Sequence, residues 1–375
     1  MNNKIRNIVV TVTFSLFIAF FAVLCVLRIF SPVEYSNVEK RPLAQFPTNI
    51  TVESILNTKE EDKSTIKQFE KFTVDQFPFR EFFRRLEAQF QLNVLNLKEN
   101  HGYVQENGSI AELETTFFEK GLDGALGRLQ YIYEKYLKDS SGDKYVCLVP
   151  DKNYFLGRDF GYPVRDYNWL TGKLQAALPD MTYIDITGDL TLDDYYLTDW
   201  HWSQDGLLGV QNTITEALGS ADRFETPFKE NVLEGFKGGY TDQSALYPAP
   251  EKLVYLTNGI LDACTVYDYE TNKTYGLYNH ELFSSKVPYD FFLSGTRALL
   301  RIDNPNATTD EELIVFRDSF GSSLIPLLSE GYKSIYVVDI RYVMSDMVGN
   351  LIGGYEDRDV LFLYSATILD QNVFK

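Results

Sequence analysis

The chain is short of the side chains that build metal centres and covalent cross-links. Its 375 residues include three His, three Cys, three Trp and four Met. Cys25 lies in an apolar run, which leaves Cys147 and Cys264 as the only possible pair, and their spacing matches no metal site. With so few His and no Cys cluster, a zinc enzyme is disfavoured, and no cofactor or metal is expected. Basic charge is also scarce, with 35 Lys and Arg against 53 Asp and Glu, a net charge of −18. A nucleic-acid binder needs a basic face to neutralise phosphates, so nucleic acid is not expected as a partner. Aromatic residues, by contrast, are plentiful: 27 Phe and 25 Tyr bring the aromatic share to 15%. A solvating, disordered acidic chain lacks such rings, so this one is expected to bury a core.

One long apolar run stands out. No residue from Ile8 to Leu27 is charged, and at 1.5 Å per residue that segment spans roughly 30 Å, the thickness of a bilayer's hydrocarbon. Lys4, Arg6 and the α-amino group precede it, so the short N-terminus is expected on the cytoplasmic side and the bulk outside the cell membrane, on a single-pass tether. A cleaved signal peptide is the alternative. No small-x-small site follows the run, however, and Leu24 is too large to precede a lipoprotein Cys. The expected organisation is a tail over 1–7, an anchor over 8–28, a stalk with amphipathic helices over 29–100, and a globular domain over 101–375.

Pro32, Pro42 and Pro47 mark residues 31–57 as an extended stalk. Ile66, Phe69, Phe72, Phe77, Phe82, Leu86 and Phe90 then recur at helical steps around Pro78. This pattern predicts two amphipathic helices broken at 76–79, their Phe stripes packed on the body of the protein. Beyond Gly102 helical and strand patterns alternate. Helices are expected over 122–138, 167–178, 203–218 and 319–329, and strands over 145–149, 183–186, 313–316, 334–338 and 360–364. Between about 225 and 290 the helical period is lost and Gly and Pro surround β-rich pieces, which reads as an inserted β region. Strands separated by helices imply a parallel, helix-covered sheet, an α/β fold.

Two local features carry chemistry. The apolar strand Leu313-Ile-Val-Phe runs through Arg317-Asp318 into Ser319, where a helical pattern begins. A serine at a strand's carboxyl end and a helix's positive end can serve as a nucleophile, with backbone N–H groups facing an oxyanion. Taken alone, Ser319 reads more simply as a helix cap. The second feature is Asp199-Trp-His201-Trp-Ser at another helix entrance. A hydroxyl nucleophile needs an imidazole base, and the base needs a carboxylate to fix its tautomer. His101 and His280 lie in a loop and in the inserted region, whereas His201 sits between two Trp with Asp199 two residues earlier. Alone, His201 reads equally well as a packed aromatic-cluster histidine and Asp199 as a cap. Together with Ser319 they favour a Ser-His-Asp site.

These stretches, with Glu39-Lys-Arg41-Pro-Leu43-Ala-Gln-Phe46-Pro47, Phe69-Glu-Lys-Phe-Thr-Val-Asp75-Gln-Phe-Pro-Phe-Arg80, Val149-Pro-Asp-Lys152 and Val360-Leu-Phe-Leu-Tyr-Ser365, resemble the DHHW family of bacterial cell-surface proteins. That family is similar to the SGNH hydrolases and in particular to periplasmic alginate-acetylation proteins. The resemblance implies an SGNH-like α/β domain in which Ser319 attacks an acyl ester, His201 acts as base and then acid, and Asp199 orients it. The order Asp, His, Ser is then permuted relative to the usual SGNH order. Position 200 is Trp where the family name has His. Gly295 and Thr296 are the candidates near the oxyanion, with Thr in place of the usual Asn. Arg317 and Lys152, at predicted strand ends, are candidates for binding an anionic sugar, or else plain salt-bridge partners of Asp318 and Asp151. The implied function is an O-acetyltransferase or O-acetylesterase acting on cell-surface polysaccharide, with a membrane-embedded acyl-donor protein as a further partner. The alternative is a non-catalytic carbohydrate-binding or assembly protein on the same scaffold.

Overall fold

The structure is a computed structural model, and it describes all residues except 1–2, 40, 49, 52–63, 225, 247–248, 354–356, 372 and 375. Part of the expected stalk, 52–57, falls outside the described residues. The chain divides into two compact units, Met1–Asn100 with Asp242–Tyr247, and His101–Thr241 with Pro248–Lys375.

The first unit opens with α1, Asn3–Phe30, long and apolar enough to cross a membrane and with no buried residue. Two helices follow after the proline-bearing segment, α2 (Thr65–Asp75) and α3 (Arg80–Asn93). Ser64 caps α2 by accepting from the Lys67 N–H. Phe79 enters α3 at φ 58°, so the chain turns sharply at the expected break around Pro78. Asp75 is the hub of this unit. Its carboxylate accepts two bonds from the Arg41 guanidinium, at 2.9 and 2.7 Å, and one from the Ala44 N–H at 2.8 Å. Burial works against its ionised form, but these donors outweigh it and hold the carboxyl below the usual range.

The Phe stripes do not pack on a protein core. Phe72 is buried, but Ile66, Phe69, Phe77, Phe82, Leu86 and Phe90 are exposed. The helical period matches α2 and α3, and within this unit the stripe faces outward.

The second unit is built on an eight-stranded sheet. Its elements in chain order are β1 (Tyr103–Glu106), β2 (Ser109–Glu112), α4 (Glu119–Ile132), β3 (Lys144–Val149), α5 (Lys152–Phe160), α6 (Tyr167–Ala177), β4 (Thr182–Ile184), α7 (Leu208–Ala217), β5 (Lys229–Phe236), β6 (Glu251–Thr257), β7 (Thr265–Asp268), β8 (Lys273–Tyr275), β9 (Leu299–Asp303), β10 (Glu312–Arg317), α8 (Gly321–Leu328), β11 (Ser334–Val338) and β12 (Asp359–Ser365). The strand order is β8-β7-β9-β11-β10-β12-β3-β4. From β11 to β4 all pairings are parallel; β9, β7 and β8 extend the sheet antiparallel. Hence β7 and β8, expected in an insertion, belong to the main sheet. The β5–β6 hairpin stands apart from it, as does the β1–β2 hairpin.

Both faces of the sheet are covered, which is why its central strands read as continuous apolar runs. Leu313 and Val315 point into one core with α7 and α8, and Ile314 and Phe316 into the other with α4 and α6. Cys147 and Cys264 are unpaired buried thiols in the first core. Burial pushes Cys264 up to about 12, which keeps it inert.

Candidate active site

The carboxyl end of β10 delivers the serine. Arg317 and Asp318 are fully buried, Ser319 is half-buried, and α8 begins only at Gly321. The Asp318 carboxylate fixes the turn by accepting from the Phe320 N–H at 2.9 Å and from the Ser365 N–H at 2.7 Å, which ties it to the end of β12. The first residue of α8 has to be small, because a Cβ on Gly321 would lie 2.9 Å from the Cβ of Arg317. Ser319 does not cap α8, since no side chain caps that helix. Its hydroxyl instead meets a base, with Oγ 2.8 Å from His201 Nε2.

The His201 ring is fixed on every side. Nδ1 lies 2.7 Å from Asp199 Oδ1. The same oxygen accepts from the His201 N–H at 3.1 Å, while Oδ2 accepts from the Gly239 N–H at 2.8 Å. Burial disfavours the charged carboxylate, but the facing imidazole and these three donors prevail and hold Asp199 below its ordinary value. An ionised Asp199 keeps the hydrogen on Nδ1 and leaves Nε2 as the acceptor for the serine proton. Tyr289 stacks on the ring face to face, with centroids 3.7 Å apart and planes 2° apart. Trp200 donates its indole N–H to Nε2 at 3.1 Å, sharing that lone pair with Ser319.

The aromatic clamp is therefore Tyr289 and Trp200, not the Trp200 and Trp202 pair that flanks the histidine in sequence. Trp202 is fully buried and donates to the Phe320 carbonyl and to Ser323 Oγ, both at 2.9 Å, so it braces the serine turn. The histidine turn is braced separately. Glu251 accepts from the Leu197 and Thr198 N–H groups, each at 2.7 Å. Gly238 and Gly239 pass so close that a Cβ would lie 2.4 Å from Asp199 Cβ at the first and 2.3 Å from the Trp200 ring at the second.

The four secondary candidates take other roles. Lys152 is buried and donates to the backbone carbonyls of Ile110 and Tyr196 at 2.7 and 2.6 Å, which holds the segment leading to Asp199. Burial, only partly offset by Asp199 and Glu251, pushes it down to about 7. It does not pair with Asp151, whose partner is Arg165. Arg317 is equally buried and donates to the Gly295 carbonyl at 3.1 Å, to Ser322 Oγ at 3.0 Å, and to the Asp318 carbonyl rather than its carboxylate. Both side chains are buried and engaged with these protein acceptors. The Gly295 N–H is engaged with the Phe292 carbonyl at 3.0 Å and Thr296 Oγ lies at 3.4 Å from the Tyr342 hydroxyl, so neither the Gly295 amide nor the Thr296 side chain is poised as an oxyanion donor. In the serine turn the N–H groups of Phe320, Gly321 and Ser322 are also engaged, which leaves the amide of Ser319 itself as the candidate donor.

Residues 189–338, which carry Asp199, His201 and Ser319, match the family model described as DHHW protein. The site region is therefore similar to the DHHW family. No curated protein matches the chain. Among solved structures it is similar to a DHHW family protein from Eubacterium siraeum, with 20% identity and a TM-score of 0.59 over 74% of this chain and 94% of that one. It is also similar to PatB1 of Bacillus cereus, with 20% identity and a TM-score of 0.56 over 73% and 98%. A weaker likeness, with a TM-score of 0.44 at 13% identity over 72% and 92%, is to the O-acetyltransferase domain of Pseudomonas putida AlgJ. The matched region thus sits in the parallel, helix-covered α/β sheet expected from the alternation of strands and helices.

Proposed function

We propose that this chain is a membrane-anchored, extracytoplasmic acyl-ester enzyme that moves an acetyl group onto or off a cell-surface polysaccharide through Ser319, His201 and Asp199. The observation that carries the reading is the relay itself, 2.8 Å from Ser319 Oγ to His201 Nε2 and 2.7 Å from Nδ1 to Asp199. Both spacings lie within proton-transfer reach.

In the first half-reaction Ser319 Oγ bonds to the ester carbonyl carbon as its proton passes to Nε2. The imidazolium, stabilised by Asp199, then returns that proton to the departing alkoxide as the ester C–O bond breaks. In the second half-reaction a sugar hydroxyl or water gives its proton to Nε2 and bonds to the acyl carbon, and the serine oxygen leaves and regains a proton from His201. The polysaccharide assignment draws on α1 as an outward tether and on half-buried Trp200 with Tyr240 edge-on at 5.6 Å, rings suited to stacking on sugars. A membrane-embedded acyl-donor protein is the partner such an arrangement would serve.

A sulfonyl adduct of PatB1 is among the similar structures, with a TM-score of 0.53. This points to the direct test. The purified protein is treated with a serine-reactive sulfonyl fluoride or phosphonate, the modified residue is mapped by mass spectrometry, and hydrolysis of a small acetyl ester is followed. Labelling at Ser319, with hydrolysis lost in Ser319→Ala by about 10⁴-fold or more, is the expected result. The non-catalytic carbohydrate-binding reading draws on the Trp200 N–H that shares Nε2. It predicts no labelling and the same background rate in both proteins.

A further inference from the structure

The N-terminal unit turns its apolar stripe outward. On α3, Phe79, Phe82, Phe83, Leu86 and Phe90 follow the steps of one helical face, with fractional exposures of 58, 62, 37, 55 and 51%. The opposite face is the one that packs. Ala88 is fully buried and Arg84 donates to the Gln243 carbonyl at 2.8 Å. A helix of a water-soluble body does the reverse, and a contiguous exposed apolar patch marks contact with another apolar phase.

The neighbouring element says which phase. Phe21 of α1 stacks on Phe77 at 5.8 Å between centroids and meets Phe79 and Phe83 edge-on at 6.3 and 6.1 Å. Phe21 lies six residues before Leu27, the end of the uncharged run, which at 1.5 Å per residue is roughly 9 Å inside it. Whatever covers α1 at that depth therefore also reaches the corner between α2 and α3. A groove of about 270 Å³ runs between the two, lined by Leu24, Leu27, Arg28, Ser31, Pro78 and Phe79, with apolar walls and one guanidinium. The acidic groups nearby are neutralised within the unit: Glu39 pairs with Arg80 and lies 3.5 Å from Arg84, and Asp75 pairs with Arg41 at 2.7 Å.

We propose that the aromatic corner from Phe77 to Phe90 is a second membrane contact, set into the leaflet that the C-terminal half of α1 enters. Its groove takes a phospholipid, the acyl chain along Leu24, Leu27 and Phe79 and the phosphate on Arg28. The inference rests on α1 crossing the bilayer. It makes the tether rigid, because a helix alone swivels in lipid whereas a helix with an interfacial wedge holds one orientation.

The test uses the full chain in vesicles of phosphatidylcholine and phosphatidylglycerol, carrying Cys25→Ser. Nitroxide labels are placed one at a time at Phe82→Cys, at Phe17→Cys as the reporter on α1, and at Glu134→Cys as an exposed reporter on the second unit. Each label is compared for relaxation by oxygen, which concentrates in hydrocarbon, and by a water-soluble nickel complex. The expected result is an oxygen-to-nickel ratio at Phe82 close to that at Phe17 and about tenfold above that at Glu134. A lipid-type ratio at Phe17 with a water-type ratio at Phe82 overturns the wedge and leaves the anchor standing. A water-type ratio at both overturns the anchor and the wedge together. A Phe82 label shielded from both agents and broadened by a second spin shows another copy covering the corner, which also overturns the proposal. Phe90→Cys, lower on the same stripe, repeats the measurement if the Phe82 variant fails to fold.

Discussion

The two units use buried polar and exposed apolar groups in opposite ways. In the second unit the apolar side chains lie inside two cores, and four of the polar groups buried with them, Lys152, Arg317, Asp318 and Asp199, brace the two turns that hold His201 and Ser319. In the first unit the rings of α3 point outward, and the half-buried polar groups are ion pairs that keep α2, α3 and the preceding segment together. A buried charge is costly unless it is fully partnered. In the second unit that cost is met at the two turns that hold His201 and Ser319. The first bears exposed apolar surface that water penalises, and this makes sense only against another apolar phase. The comparison predicts that changes in these four groups act on turnover, and changes on the Phe stripe on membrane contact.

The sharpest test of that division is Asp199→Asn. The amide keeps the volume and can still accept from the Gly239 N–H, but it neither stabilises an imidazolium nor enforces the Nδ1–H tautomer. Ester turnover is expected to fall by about 10³- to 10⁴-fold with an unchanged fold by circular dichroism. A loss of less than tenfold would mean that the carboxylate only braces the turn.

Much of this site is legible in the sequence, and the boundary of what is legible has physical causes. The strand that delivers Ser319 is a continuous apolar run because both of its faces are buried, and Asp-x-His is a local motif whose two groups meet within one turn. Tyr289, Gly239 and Glu251 are invisible by the same reasoning, because their roles arise from approaches between segments 40 to 90 residues apart in the chain. The partners of Lys152 and Arg317 are not legible because a charged residue at a strand's end has two directions open to it, and only the tertiary supply of carbonyl acceptors decides which it takes. The β1–β2 hairpin has a signal in the sequence. Asn107-Gly108 between two strands is the two-residue turn with positive φ at both positions, here 50° and 85°. Strand β9 alternates only weakly, since it lies where the sheet changes from parallel to antiparallel. For the Phe stripe, period fixes a helix and its face but carries no information on whether protein or lipid covers that face.

Lys152→Met tests the bracing of the histidine turn, with a smaller expected effect. Methionine fills the space but leaves the buried Ile110 and Tyr196 carbonyls without a donor, about 1–3 kcal/mol for each group left unpaired. A lower thermal midpoint with a moderate loss of turnover is expected, and Lys152→Arg should not rescue it because the larger guanidinium has no room. The lysine also leaves a signature in pH. Its folded value of about 7 lies below the ordinary 10.5, so the unfolded chain binds the extra proton between these limits. Stability therefore gains from this group as pH rises from about 7 towards 10.5, and that gain should vanish in Lys152→Met. An unchanged slope would mean that Lys152 stays charged in the folded protein. Phe82→Ser is the contrasting control, with turnover in detergent unchanged.

The smallest expected effect concerns Glu114, beside the buried Arg165 that also engages Asp151 and Asp370. Burial pushes Glu114 up to about 7. The Arg165 guanidinium opposes this, and the carboxylates of Asp151, Glu112 and Asp370 add to it. The folded protein therefore binds more protons than the unfolded chain between the ordinary carboxyl value of 4.5 and about 7, so this group's contribution to stability is fully present below that window and is lost as pH rises through it. Because the carboxylate is partly open to water, the change should amount to no more than a few degrees in the melting midpoint between pH 5 and 7.5. Glu114→Gln holds the neutral form at every pH and should flatten that slope while leaving ester turnover intact. If the slope survived the substitution, the proton uptake would belong to another member of the Arg165 cluster, and Glu112, itself raised by burial, would be the next carboxyl to replace.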